Sequence, residues 1–404
     1  MSDTTDLHLA IALDGAGWHP AAWRDADARP ADLFTAPYWV SLAATARRGL
    51  ADFVTIEDAF ELQSDEFGTP DTRTDRVRGR LDAVDIAARI APSAPGLGVL
   101  PTAVATLTEP FHLSKAIATL DYVSTGNAGV RIQVAGAAAA RNVGRRTLPT
   151  VTADRLGSPE AETLVRELFG EARDYVDVLR RLWDSWEDDA EIRDVASGRF
   201  IDRHKLHYID FDGPHFSVRG PSITPRPPQG HPPVAALAHT APGYELIGSS
   251  ADIGFVTPRD HADAESIVAS IRSAQRAAGR GDDAVHVFGE LVVVLDDTVE
   301  AARARLDRLD DAAGSAYTSD AEIFVGTASG LADLLVDHST AGLTGFRLRP
   351  ATLPHDLEQI VDRLVPELRA RGAYPETHRA GSLRERLGLS RPANRYAAAA
   401  STTA

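Results

Sequence analysis

Short apolar, β-rich runs alternate with longer stretches of helical periodicity along nearly the whole chain, a pattern that predicts repeated βα units and a parallel sheet. The strand-like runs fall at 7–13, 52–58, 97–103 and 129–135. After an insertion they resume at 233–238, 251–257, 286–295 and 344–349. The clearest helix is predicted from about Glu160 to Trp186, with Val165, Leu168, Phe169, Ala172, Tyr175, Val176, Leu179, Leu182 and Trp183 recurring at 3.6-residue spacing. Between Ala190 and Pro233 the periodicity gives way to a hairpin-like segment around Asp212-Gly213 and then to a stretch too rich in proline for a helix. This insertion after the fourth strand is long enough to form part of a lid. A second irregular stretch, 313–321, precedes the last strand, and the Arg/Asp-rich run from Asp297 to Asp311 reads as a solvated helix face. Such a series fits a (β/α)8 barrel, and periodicity alone leaves an open doubly wound sheet as the alternative.

Composition narrows the possible functions. The 404 residues carry 42 basic and 58 acidic side chains, a net charge of −16, with the acids spread along the chain. No nucleic-acid partner is expected. The absence of cysteine removes disulfides, thiolate nucleophiles and structural zinc modules. No apolar segment approaches the ~20 residues needed to span a bilayer, so a soluble cytoplasmic protein without membrane contact is expected. One barrel domain over 1–396 is expected, followed by a frayed tail of Ala, Ser and Thr at 397–404.

Metal and phosphate-loop motifs are missing: the histidines lack ligand spacing, and Gly126, Gly129 and Gly136 do not form GxGxxG. What remains is chemistry at predicted strand ends, where a barrel keeps its functional side chains. Asp58 closes the second strand, and its ordinary reading is a cap for the next turn. Arg131 and Gln133 share a face of the fourth strand, as do Arg347 and Arg349 near the end of the last. Those arginines either hold an anionic group or pair with nearby carboxylates.

Several blocks, in order, carry a family likeness. They are GWHPAAWR (17–24), DFVTIED (52–58), LGVLPTAVATLTEPFHLSKAIATLDYVSTGNAG (97–129), RNVG (141–144), LWDSWEDDA (182–190), GPHFSVRGPSITPRPPQG (213–230), and the closing LVPELRARGAY and GSLRERLGLSRPANRY. Together they resemble the bacterial luciferase-like, flavin-dependent monooxygenases, in the branch of nitrilotriacetate and dibenzothiophene-sulfone monooxygenases and pristinamycin synthase. The resemblance implies a luciferase-like (β/α)8 TIM barrel with an insertion after strand four and a C-terminal extension. It also implies reduced FMN at the C-terminal ends of the strands, supplied by a separate NAD(P)H-dependent flavin reductase. O2 would be the co-substrate, a small organic molecule the substrate, and a homodimer the assembly. The difficult chemistry would belong to the cofactor.

Transferred position by position, the resemblance sets Asp58 beside the flavin, gives Thr102 a hydrogen bond to its ring, and puts Thr240 where relatives have a Ser that meets the phosphate. A helix starting near Gly243 would add backbone N–H groups there. Arg131 is a further candidate for holding the cofactor. Thr106 and Glu109, later in the loop after strand three, are expected on the substrate side, with Gln133. His19, in the loop after strand one, and Glu57 are the catalytic candidates, His19 because imidazole titrates near neutrality. Trp23 and Arg24 belong to the same loop. The chain departs from the pattern at Val165 and Phe169, where relatives carry a His and a Tyr that reach the phosphate. In charge-assisted form each lost contact is worth ~1.5–3 kcal/mol. Two alternatives therefore stand beside the oxygenase: a luciferase-like oxidoreductase using the deazaflavin F420, and a non-catalytic barrel subunit with a degenerate flavin site.

Overall fold

A computed structural model describes residues 6–64, 71–144 and 146–397; of the tail expected to fray, 398–404 lie outside this range. Parallel strands covered on both faces are largely apolar, and the strands here are so except for a few polar and charged residues, among them those of the site described below. They are β1 His8–Leu13, β2 Phe53–Ile56, β3 Gly98–Val104 and β4 Val130–Gln133. Two short antiparallel hairpins follow, β5 Glu191–Asp194 with β6 Arg199–Ile201 and β7 Phe211–Asp212 with β8 Ser217–Val218. The series ends with β9 Val234–Ala238, β10 Ile253–Val256, β11 His286–Leu295, β12 Glu322–Gly326 and β13 Gly345–Pro350.

Pairing closes the sheet. β1 lies between β2 and β13, the order continues through β3, β4, β9 and β10, and β10 and β13 both pair with β11, so eight parallel strands form a barrel. The open-sheet alternative is thereby excluded. One further strand, β12, escaped the sequence reading, which took 313–321 as an irregular lead into the last strand. Its origin is geometric: β10 pairs only with the first part of β11, from His286 to Gly289, and β12 covers the edge left at Leu291–Leu295. The hairpin around Asp212 forms as expected, whereas the one joining β5 to β6 was not foreseen.

The long helix spans Pro159–Asp184 and starts where the Ser158 side chain accepts the N–H of Ala161. Its buried stripe includes Leu168, Ala172, Tyr175, Val176, Leu179, Leu182 and Trp183. The insertion lies against this helix through Ile209, Phe211 and Phe216, which pack around Val178 and Leu182. The helix Val299–Ala313 is less solvated than expected: Arg305 is buried and ion-paired with Asp356, because its guanidinium also closes on the Leu295 carbonyl at the end of β11.

Inside the barrel the side chains form two layers. The lower one is apolar, with Ala10, Phe53, Leu100, Ala235, Phe255 and Phe288 packed against Leu383, Leu387 and Leu389 of the C-terminal segment. Above it, toward the C-terminal strand ends, the lining turns ionic.

Candidate active site

Strand register assembles the ionic layer. Thr102 on β3 stands opposite Arg131 on β4, and Glu290 on β11 opposite Arg347 on β13. The Arg131 guanidinium donates to Glu57 Oε2 at 2.7 Å and to Thr102 Oγ1 at 2.9 Å. Arg347, fully buried, donates to Thr55 Oγ1 at 2.8 Å and forms ion pairs with both Glu57 and Glu290. Arg349, two residues on and on the same face, pairs with Glu290 and reaches Asp320 at 2.6 Å. Three guanidinium groups thus meet two buried carboxylates and one at the rim. Burial disfavours the charges of Glu57, Arg131, Arg347 and Arg349, and their mutual pairing offsets it.

Over this layer opens a cavity of about 330 Å³, within the range of small-molecule clefts. Its polar walls are Trp18, Glu57, Arg131, Gln133, His239 and Arg349, with Asp320 at the edge, and Ile132, Val134, Phe169, Leu237 and Leu246 supply apolar surface. The loop after β1 carries Trp18 into place. Gly17 has a positive φ of 128° and lies against the Ala351 backbone, where any side chain would clash, and Trp18 and His19 then donate their N–H groups to Pro350 and Ala351. The Arg349 guanidinium stacks 4.5 Å from the indole centroid. His239 bridges Thr257 Oγ1, 2.9 Å from Nδ1, and Asp320, 3.3 Å from Nε2; burial holds its imidazole below the ordinary value.

Three residues that line the cavity carry a buried N–H without an acceptor in the protein: Trp18 at Nε1, Arg131 at Nε and Arg349 at Nε. Leaving a buried donor unpaired costs about 1–3 kcal/mol each. A lining so rich in donors suits a flat, acceptor-rich, anionic group, which is the chemistry of the pyrimidine edge of a reduced flavin. The residues present therefore fit the cofactor that the sequence resemblance implies.

The individual expectations fare unevenly. Glu57, Arg131 and Gln133 are brought together at the cavity. Glu57 is nevertheless unsuited to proton transfer: burial pushes its carboxyl up, but Arg131, Arg347 and Arg349 outweigh this and hold it down at about 2, a permanent anion near neutrality. His19 lies away from the cavity wall. Its Nδ1 accepts the Ala21 N–H at 3.0 Å, leaving the ring proton on Nε2, which meets Asp310 at 3.0 Å, so both nitrogens are spent in scaffolding. Asp58 uses its carboxylate on the N–H groups of Ala59 and Ala83, at 2.8 and 3.0 Å, the latter the first residue of the helix Ala83–Ile90, which Asp82 caps. Thr102 is buried under Arg131, one layer below the cavity. Thr240 is exposed at the start of the helix Ala241–Ser250 with no capping bond from its hydroxyl. Trp23 and Arg24 donate to the backbone oxygens of Asp75 and Ala312.

Thr106 and Glu109 border a different cleft, of about 420 Å³, beside Arg146, Glu171, Tyr175 and His215. Thr106 Oγ1 there accepts the N–H of Ala135 at 3.0 Å. Sequence reasoning missed Trp18, Glu290, Asp320 and Arg146. The signal for Glu290 was available: a lone acid in the middle of the apolar run His286–Leu295 requires a buried cation.

Comparison with known proteins places this geometry in context. The sequence profile of the luciferase-like monooxygenases matches residues 44–325. N-acetyl-S-(2-succino)cysteine monooxygenase of Bacillus subtilis (strain 168) is 28% identical, covering 98% of this chain and 99% of its own. Nitrilotriacetate monooxygenase component A of Aminobacter aminovorans is 25% identical, covering 98% and 99%. Among solved structures, a riboflavin lyase determined with modified FMN and its substrate riboflavin superposes with a TM-score of 0.82 at 24% identity, over 96% of this chain and 97% of that one. The profile match spans well over half of the chain, and the protein belongs to the flavin-dependent luciferase-like monooxygenase family of oxidoreductases.

Proposed function

We propose that the chain is a two-component monooxygenase that binds reduced FMN in the cavity above the ionic layer and inserts one oxygen atom of O2 into a small organic substrate. The observation that carries this reading is the set of three unpaired, buried N–H donors around one cavity. Bound there, reduced FMN supplies the electrons that activate oxygen. Trp18 presents a flat wall and an indole N–H. Arg131 and Arg349 offer N–H donors and positive charge to an anionic ring edge, and Glu57 and Glu290 keep those guanidinium groups charged and fixed in direction. Ile132, Val134, Phe169, Leu237 and Leu246 exclude water from the remaining walls. At the helix Ala241–Ser250, Thr240 retains a hydroxyl free of capping for a phosphate, while Phe169 gives the cavity an apolar surface where relatives carry a polar group. A relative named as component A of its enzyme supports a separate reductase as the source of reduced flavin.

Anaerobic calorimetry with reduced and oxidised FMN tests the reading. Reduced FMN is expected to bind at least ~10-fold more tightly, a difference of about 1.4 kcal/mol, because only the reduced ring adds charge opposite Arg131 and Arg349. Equal affinity for the two forms, or binding of F420 in preference to FMN, would overturn it.

A further inference from the structure

The cleft that holds Thr106 and Glu109 has the opposite hydrogen-bonding character. Tyr175 and Glu171 line it, and the buried Tyr175 hydroxyl and Glu171 Oε2 have no partner in the protein. The other carboxylate oxygen of Glu171 accepts from the Arg146 guanidinium at 2.6 Å, and the same guanidinium donates to the Thr106 carbonyl at 3.3 Å. Arg146 is thus committed on both sides. Glu109 and His215 also line the cleft. Burial keeps the Tyr175 hydroxyl protonated far above the ordinary tyrosine range.

An unpaired carboxylate oxygen needs a donor, and leaving one buried is costly. A bound carboxylate or phosphate would bring only further acceptors to Glu171 Oε2. An ammonium brings three donors and no acceptor, enough to satisfy Glu171 Oε2 and the Tyr175 oxygen together. The cleft is also a neighbour of the flavin cavity. The helix Pro159–Asp184 supplies Phe169 to one and Glu171 and Tyr175 to the other, and Gln133 and Val134 of the cavity continue directly into Ala135, whose N–H holds Thr106.

We propose that this cleft is a recognition site for a small molecule bearing a primary or secondary ammonium group, held between Tyr175 Oη and Glu171 Oε2. For the step from ligand to substrate the proposal rests on the flavin reading: the molecule to be oxygenated is an amine-bearing compound whose cationic end lies here and whose reacting end extends toward the cavity. The ammonium site itself needs no flavin.

The test uses three probes of equal size, n-butylammonium chloride, n-butanol and sodium butyrate, in ligand-observed NMR titrations of the full chain without flavin. Butylammonium is expected to bind, with butanol and butyrate at least ~10-fold weaker. Glu171→Gln is expected to weaken butylammonium about 10-fold or more and Tyr175→Phe about 3-fold to 10-fold. Unfolding curves on the same samples check that the variants are folded, and Tyr175→Phe, which removes an unpartnered hydroxyl, should fold normally even if Glu171→Gln does not. Binding of butyrate or butanol as tight as that of butylammonium, no binding of any probe, or an unchanged affinity in Tyr175→Phe would each overturn the proposal and leave water as the partner of both oxygens. Because flavin is absent from the titration, such a failure is separate from a failure of reduced FMN to bind.

Discussion

Two cavities border the C-terminal end of this barrel, and they are lined with opposite hydrogen-bonding character. Among the described residues, the buried side-chain atoms left unpaired are N–H groups in the first, of Trp18, Arg131 and Arg349, and oxygens in the second, of Tyr175 and Glu171. They differ as much in how their charges are held. Beneath the first, Glu57, Glu290, Arg131, Arg347 and Arg349 form a closed network that no single member can leave without stranding another. In the second, one ion pair between Arg146 and Glu171 stands half open. A rigid, pre-oriented donor set suits a ligand bound the same way at every turnover, while a looser acceptor set suits one that must enter and leave. The two proposals thus set a cofactor site and a substrate site side by side at one barrel end.

The largest difference between the two should appear in stability. Glu290→Ala removes the shared partner of two buried arginines, so a loss of about 3–5 kcal/mol in denaturant unfolding is expected. Tyr175→Phe in the second cavity is expected to be neutral or to gain about 1 kcal/mol, because the hydroxyl has no bond to lose. If both variants lost the same stability, the contrast between a committed and an open site would be wrong.

Acid provides the next contrast. The Glu57 carboxyl is held at about 2, well below its ordinary 4.5, so its contribution is complete above 4.5 and disappears as pH falls through about 2. At the far end of the barrel, burial and repulsion from His8 keep His286 neutral down to about 4. Unfolded His286 takes up its proton near 6.5, so stability should already decline as pH falls from 6.5 toward 4. Unfolding free energy followed from pH 7 to 2 should therefore fall in two stages, and His286→Asn should reduce the upper stage, to which His19, His231, His239 and His378 also contribute, and leave the lower one.

Much of the fold was legible because a parallel barrel writes itself as apolar runs at regular intervals, and the eight closing strands obey that rule. β12 was not legible, since it exists only where β11 outruns β10, a length mismatch seen in pairing and not in local sequence. The site divided along similar lines. Arg131 with Gln133, and Arg347 with Arg349, could be read from strand alternation. Their counter-ions could not: Glu290 comes from another strand, and Asp320 from an irregular loop. Position at a strand end was also too coarse a guide. Glu57 and His239 line the cavity where Asp58 and Thr240, one residue further on, do not, since successive extended residues point opposite ways. Thr102 shares the inner face with Arg131 but spends its hydroxyl oxygen on that guanidinium.

Smaller effects grade the first cavity from within. Thr102→Val removes one acceptor from the Arg131 guanidinium and should cost about 1 kcal/mol of stability by denaturant titration. Trp18→Phe keeps an aromatic wall but deletes an unpartnered N–H. Its fold should be unaffected, and its affinity for reduced FMN should drop by about 0.5–1.5 kcal/mol in calorimetry. An unchanged affinity would remove the indole from the donor set.

The decisive measurement is a crystal structure of the protein with FMN bound. The isoalloxazine ring is expected above the ionic layer, with its pyrimidine edge within hydrogen-bonding distance of Trp18 Nε1 and at least one of Arg131 Nε and Arg349 Nε. A flavin ring seated in the Tyr175 cleft, or those three N–H groups left unpaired in the complex, would contradict the assignment of the two cavities.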